Sequence, residues 1–185
     1  ARLILSQLRL PFRHFGKYGN IILHYEHGVR TVPSSRGDLE TAMPTKVIAT
    51  GFDPFHTHRS NPSQLGVEQL PASVKIDEAN TADVAKLVLP TCCEGAWDLL
   101  RPAVDAVAGE PFFVLLCGLA DSRDRICLER FALNVRSYRV PDNAGHTHND
   151  EYLEDGPDAI RTRVALRELD AYLRKKRIPS DISNY

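Results

Sequence analysis

The sequence predicts a three-layer α/β/α fold with a mostly parallel central sheet. Three observations carry that expectation. Short apolar runs alternate with helical patterns from Lys46 onward, which implies strands joined by helical crossovers. Pro111–Cys117 is a continuous apolar run, the mark of a central strand covered on both faces. Between Gly95 and Val107, Ala96, Leu99, Leu100, Ala103, Val104 and Val107 recur at helical spacing, a one-sided stripe suited to covering a sheet.

The elements follow in order. Lys46–Thr50 reads as a buried strand, after which Gly51 permits a sharp turn and Pro54 stiffens the loop. Asn61 stands as the N-cap of a helix over Ser63–Leu70, with Pro62 at its first position and Pro71 at its end. Ala82–Leu89 contains a second strand. The helix over Gly95–Val107 contains Pro102, which predicts a kink or a break there. Gly118 ends the central strand, and Asp121–Arg125 is polar loop. Ile126–Val135 reads as extended, and Pro141–Asn149 as loop. Asp158–Arg177 reads as one long helix faced by Ile160, Val164, Leu169, Tyr172 and Leu173. Its basic C-terminal end suits the helix dipole. Ile178-Pro179 stops it, and Ile182 begins a further strand.

Composition narrows the function classes. The 185 residues suit one domain, and 43% hydrophobic with 25% charged residues is ordinary for a globular chain. A net charge of −1 gives no electrostatic case for nucleic acid or a membrane surface. No stretch reaches the roughly 20 apolar residues of a membrane helix. Cys92, Cys93, Cys117 and Cys127 have no CxxC spacing, and we read them as reduced thiols of a cytoplasmic protein. No phosphate-binding glycine motif occurs. His146-Thr147-His148 with Asp150 and Glu151 is a weak metal pattern without matching cysteines, so neither a metal nor a cofactor is expected.

The first 42 residues differ from the rest. They carry six Lys or Arg and three Asp or Glu, net +3, whereas residues 43–185 carry 17 and 21, net −4. The only methionine is Met43, just before the first convincing strand. The expectation is that residues 1–42 are upstream sequence or an extension outside the fold, and that 43–185 form the domain. A transit peptide and a genuine extension of the domain are the competing readings.

Two blocks concentrate the candidate site. The first is Thr50-Gly51-Phe52-Asp53-Pro54-Phe55 with Asn61-Pro62-Ser63. Phe52 and Phe55 sit on a loop between a strand and a helix start, where they are either core residues or the walls of a small-ligand slot. The second runs from Pro111 to Gly145 and includes Glu129-Arg130, Asn134, Arg139 and Pro141-Asp142-Asn143. Leu89-Pro90-Thr91 and Asp155-Gly156-Pro157 are fainter echoes. In this order, the blocks resemble the pyroglutamyl peptidase I family of cysteine peptidases, from about Lys46 to the end of the chain.

The resemblance implies removal of an N-terminal pyroglutamyl group from peptides by a Cys-His-Glu triad. Glu129 matches the acidic member, which would orient the histidine and stabilise its imidazolium. By itself, a Glu beside an Arg is more often an ion pair. Phe52 and Phe55 match the residues that form the slot for the lactam ring. That ring has flat apolar faces, so aromatic walls suit it and a charged free amine would be desolvated there. Arg139 matches an arginine near the family's active site, in a positional, electrostatic or simple ion-pair role. Leu119 stands where a glutamine is common in the turn after the central strand, and Asp121 and Ser122 replace two glycines.

None of the four cysteines matches the nucleophile. In the family the cysteine and then the histidine follow the segment that resembles Ile178–Tyr185. The expectation is therefore a fold whose C-terminal part is missing here, inactive as a peptidase in this form, with apolar surface and a sheet edge exposed. The partner expected is a peptide with N-terminal pyroglutamate, with neither nucleic acid nor membrane involved, and a homo-oligomer for the full-length form. The alternative is a catalytically inactive, truncated homologue or a binding-only protein.

Overall fold

The computed structural model describes residues 19–27 and 45–184. Its centre is a seven-stranded sheet. The strands are β1 (Gly19–His27), β2 (Lys46–Phe52), β3 (Ser73–Lys75), β4 (Thr81–Leu89), β5 (Pro111–Gly118), β6 (Ile126–Glu129) and β9 (Ser180–Ser183), in the order β3-β4-β2-β5-β1-β6-β9. β2 runs parallel to β4 and β5, and β6 runs parallel to β1 and β9. β3 and the β1–β5 pairing are antiparallel. A mostly parallel sheet is thus what the alternating pattern predicted. β7 (Phe131–Leu133) and β8 (Ala159–Arg161) form a separate antiparallel pair.

Strand alternation divides the core between two faces. Val47 and Ala49 of β2 join Phe113, Leu115 and Cys117 of β5 on one face. Against them pack Val67 of α1 (Pro62–Glu68) and Leu166, Leu169 and Leu173 of α3 (Leu166–Lys175). Ile48, Phe112 and Val114 point the other way. They meet Leu100, Ala103, Val104 and Val107 of α2 (Cys93–Val107). Helices therefore cover both faces, as the apolar run Pro111–Cys117 required. Each fully buried Leu or Ile in this core contributes about 1.5–3 kcal/mol of transfer free energy.

Four differences from the sequence reading have physical causes. Helix α2 runs through Pro102 without a break; that residue lies on the exposed side, where its ring meets solvent rather than the sheet. The long C-terminal helix begins at Leu166, not Asp158, because Ala159–Arg161 pairs with β7 instead. Ile160 is accordingly 50% exposed, and the true buried stripe is Leu166, Leu169 and Leu173. Gly51 does not make a turn, since β2 continues to Phe52. A Cβ at Gly51 would fall on the backbone of Ser63 and Gln64, so the glycine lets α1 approach the strand closely. Finally, Gly19–His27 is a strand of the central sheet, between β5 and β6, rather than sequence outside the fold. The remainder of residues 1–42 lies outside the described residues, as does Met43.

Candidate active site

Three loops meet at the carboxyl end of the sheet, the side where parallel α/β sheets place their ligands. The first starts at the end of β2, where Phe52 is the last strand residue and Phe55 lies on the loop. Its entry is held at Phe52, whose N–H donates to Ser63 Oγ at 3.0 Å. Asn61 caps α1 as expected, accepting from Ser63 N–H at 3.0 Å. Its Nδ2 also donates to Asp53 O at 3.0 Å, so the cap residue closes the loop on itself. Asn61 is buried, whereas Phe52 and Phe55 are both half-buried. His56, next to Phe55, takes a left-handed conformation at φ 56°.

Asp53 ties this loop to its neighbours. Its Oδ1 accepts from Thr91 N–H at 2.7 Å and from Thr91 Oγ at 2.7 Å. Asn143 Nδ2 adds a bond at 3.2 Å to the same oxygen and another at 2.9 Å to Pro54 O. Asn143 N–H in turn donates to Thr91 O at 2.9 Å. Sequence reasoning named these residues only as parts of matching blocks, and their joint role was missed. A lone acid between two aromatics is the one sequence signal that pointed to it.

Glu129 ends β6 and is buried, with its side chain only 8% exposed. It accepts from Arg123 Nη1 at 3.2 Å. The plain ion-pair reading of Glu129 was therefore right about the bond and wrong about the partner, which is Arg123 rather than the adjacent Arg130. The Arg123 bond fixes the carboxylate at the carboxyl end of β6. Arg123 also lines a cavity of about 300 Å³, together with Cys127 and Ser183. The registers align Glu129 with Ile22, Leu116 and Thr50 across the sheet. Glu129 is thus level with a residue two before Phe52, but three strands away, roughly 14 Å at ordinary strand spacing.

The other predicted positions scatter more. Leu119 is half-buried just past the carboxyl end of β5, beside the Phe52 strand end. Arg139 is exposed. Cys117 is buried within β5, and burial pushes its thiol up to about 12, so it is inert at neutral pH. Cys127 is also buried, with Sγ 3.8 Å from Arg125 O. His146 and His148 do not share a site. Nδ1 of His148 lies 2.8 Å from Glu151, whereas Nδ1 of His146 is 3.7 Å from both Glu94 and Asp142. Glu94, Asp142 and His146 offer three atoms within 4.8 Å of one another, a grouping that also serves to join α2 to the 141–149 loop.

The family model for pyroglutamyl peptidase matches residues 45–185. Among relatives, the pyrrolidone-carboxylate peptidase of Thermococcus onnurineus is 37% identical over 140 residues, covering 75% of this chain and 66% of that protein. The Deinococcus radiodurans enzyme of the same name is 37% identical over 143 residues, covering 77% and 63%. The crystal structure of pyroglutamyl peptidase I from Bacillus amyloliquefaciens superposes with a TM-score of 0.59 at 26% identity, covering 77% of this chain and 66% of that one. The pyrrolidone carboxyl peptidase of Fervidobacterium islandicum gives 0.58 at 25% identity, covering 76% and 65%. The chain spans just under two thirds of the length of these relatives. Both signature blocks lie within the matched region, and the α/β/α architecture is shared: the chain belongs to the pyroglutamyl peptidase family.

Proposed function

We propose that the protein is a cysteine peptidase that removes an N-terminal pyroglutamyl group from peptides. In this reading Phe52 and Phe55 wall the slot for the lactam ring, and Glu129 orients the catalytic histidine. The observation that carries it is the aromatic loop after β2, half-buried at the carboxyl end of the sheet and braced by Asp53, Asn61 and Ser63. A lactam is flat and uncharged, so two ring faces remove its apolar surface from water while backbone groups meet its N–H and C=O. A free glutamate or a charged amine would lose hydration there without repayment. The reaction is acyl transfer: a cysteine thiolate attacks the pyroglutamyl carbonyl, the peptide amine leaves, and water then hydrolyses the thioester.

Glu129 fits the orienting role because it is buried at the carboxyl end of β6 and held by Arg123. Leu119 and Arg139 are assigned only to the surroundings of the slot, the first by its place beside the Phe52 strand end. The reading also places the protein in the cytoplasm, where thiols stay reduced. Among the described residues, no helix is long and apolar enough to cross a membrane.

The test is hydrolysis of a chromogenic pyroglutamyl anilide by the whole protein encoded by its gene, beside glutamyl and prolyl anilides. Cleavage confined to the pyroglutamyl compound is expected. Glu129→Gln should lower kcat at least about a hundredfold while melting within a few degrees of the parent. Absence of pyroglutamyl cleavage overturns the reading, and unchanged kcat in Glu129→Gln removes that residue from the triad.

A further inference from the structure

We propose that Asp53 is the positioning residue of the ring slot, locking the Phe52–Phe55 loop to the loops after β4 and β7 through one carboxylate oxygen. This deepens the proposed function and rests on it for the identity of the ligand, while the lock itself stands on geometry alone. Oδ1 accepts three donors at once: Thr91 N–H at 2.7 Å, Thr91 Oγ–H at 2.7 Å and Asn143 Nδ2 at 3.2 Å. The backbone of Asp53 is pinned as well. Its N–H donates to Leu89 O at 2.9 Å, and its carbonyl accepts from Asn61 Nδ2 at 3.0 Å.

The partners lie 38 and 90 residues away in the chain, so these bonds fix tertiary placement rather than a local turn. Asp53 also sits between Phe52 and Pro54-Phe55. Any rotation of the loop that moved the rings would have to break the Oδ1 bonds. A slot for a flat ring depends on the spacing of its walls, and a displacement of about 1 Å is enough to lose contact. Among the described residues only neutral donors contact Oδ1, so the bond set is directional. Asparagine, keeping an acceptor at Oδ1, should replace it in large part.

The test uses the whole protein with Asp53→Ala, Asp53→Asn and Thr91→Val. In Asp53→Ala, KM for the pyroglutamyl anilide should rise about tenfold or more while kcat stays within about threefold, because the loop binds the ring and does not perform the chemistry. Asp53→Asn should restore KM to within about threefold of the parent. Thr91→Val added to Asp53→Ala should cost nothing further, since both act on one bond set. A loss confined to kcat, an unchanged KM in Asp53→Ala, or Asp53→Asn as damaging as Asp53→Ala each overturns the assignment.

Hydrogen exchange separates this proposal from the functional one. Amides of residues 53–61 and of Thr91 should exchange about tenfold faster in Asp53→Ala, with β2, β4 and β5 unchanged. If the parent cleaves no pyroglutamyl substrate, that acceleration still establishes the lock. Unchanged exchange refutes it whatever the activity.

Discussion

Replacing Gly51 by alanine tests whether the close approach of α1 to β2 is what places the aromatic loop. The added Cβ would land on Ser63 carbonyl and carbon and lie 2.7 Å from Gln64 N, all of it helix backbone. Backbone cannot rotate away as a flexible side chain can, so α1 must retreat. Overpacking of this kind costs about 1–3 kcal/mol. Retreat also stretches the 3.0 Å bond from Phe52 N–H to Ser63 Oγ, worth about 1 kcal/mol. Alanine restricts the unfolded chain and returns about 0.4–1 kcal/mol. The net loss is about 1–3.5 kcal/mol, or roughly 2–14 °C in melting temperature for a domain of this size. Gly118→Ala is the matched control, because a Cβ there meets nothing within 4 Å. The assay is thermal unfolding by circular dichroism, with urea unfolding for the free energy. A Gly51→Ala shift below about 2 °C, or one equal to that of Gly118→Ala, would refute the close-approach argument.

Further outcomes follow from the same structure. Iodoacetamide at pH 8 should label Cys92 and Cys93, both half-buried, long before Cys117, whose thiol burial raises to about 12; early labelling of Cys117 by mass spectrometry would contradict its place in the core. Burial pushes the Asp142 carboxyl up, but N–H groups of His146 and Ala144 more than offset it, and the His148 bond holds the Glu151 carboxyl down. Both carboxyls fall below their ordinary values of 3.8 and 4.5, so they stabilise the 136–151 loop above those values and that stability is lost as pH falls through the lowered ones. Hydrogen exchange in this loop, corrected for intrinsic rates, should therefore accelerate below about pH 4, and an acid-insensitive loop would sink the argument. Asn61→Ala removes both a helix cap and the bond to Asp53 O, and should cost about 1–3 kcal/mol in urea unfolding; a loss under 0.5 kcal/mol would show that water replaces the amide.

Local signals were legible and distant ones were not. Pro111–Cys117 announced a central strand because burial on both faces leaves no polar alternation. Asn61-Pro62 announced a helix start because capping is a contact two residues long. Asp158–Arg177 misled because Ile160 and Val164 continue a helical spacing that chance supplied. Their segment gains more by pairing with Phe131–Leu133, a partner nearly thirty residues upstream that no periodicity reveals. The two aromatics and the acid of the site were visible as residue types at motif spacing. What holds them was not: Thr91 and Asn143 reach Asp53 from 38 and 90 residues away, through tertiary placement that no local pattern shows. Arg123 likewise reaches Glu129 across a turn whose path composition does not specify.

Under the proposed function, the sheet register makes ring binding and acid orientation separable. Phe52 and Leu89 end adjacent parallel strands at one level, so the loops they lead into are neighbours and can be locked by a single carboxylate. Glu129 ends a strand three places along, level with Thr50, and takes its hold from Arg123 instead. Among the described residues, the hydrogen bonds of Asp53 do not involve β6, and the Arg123 bond to Glu129 does not touch the aromatic loop. Two sets of braces without a shared residue should perturb independently. Changes at Asp53 or Asn61 should therefore move KM, changes at Glu129 or Arg123 should move kcat, and a double variant with one change in each set should show the product of the two effects. A coupling energy above about 1 kcal/mol between Asp53→Ala and Glu129→Gln would mean that the ring slot and the acid form one mechanical unit, against the register.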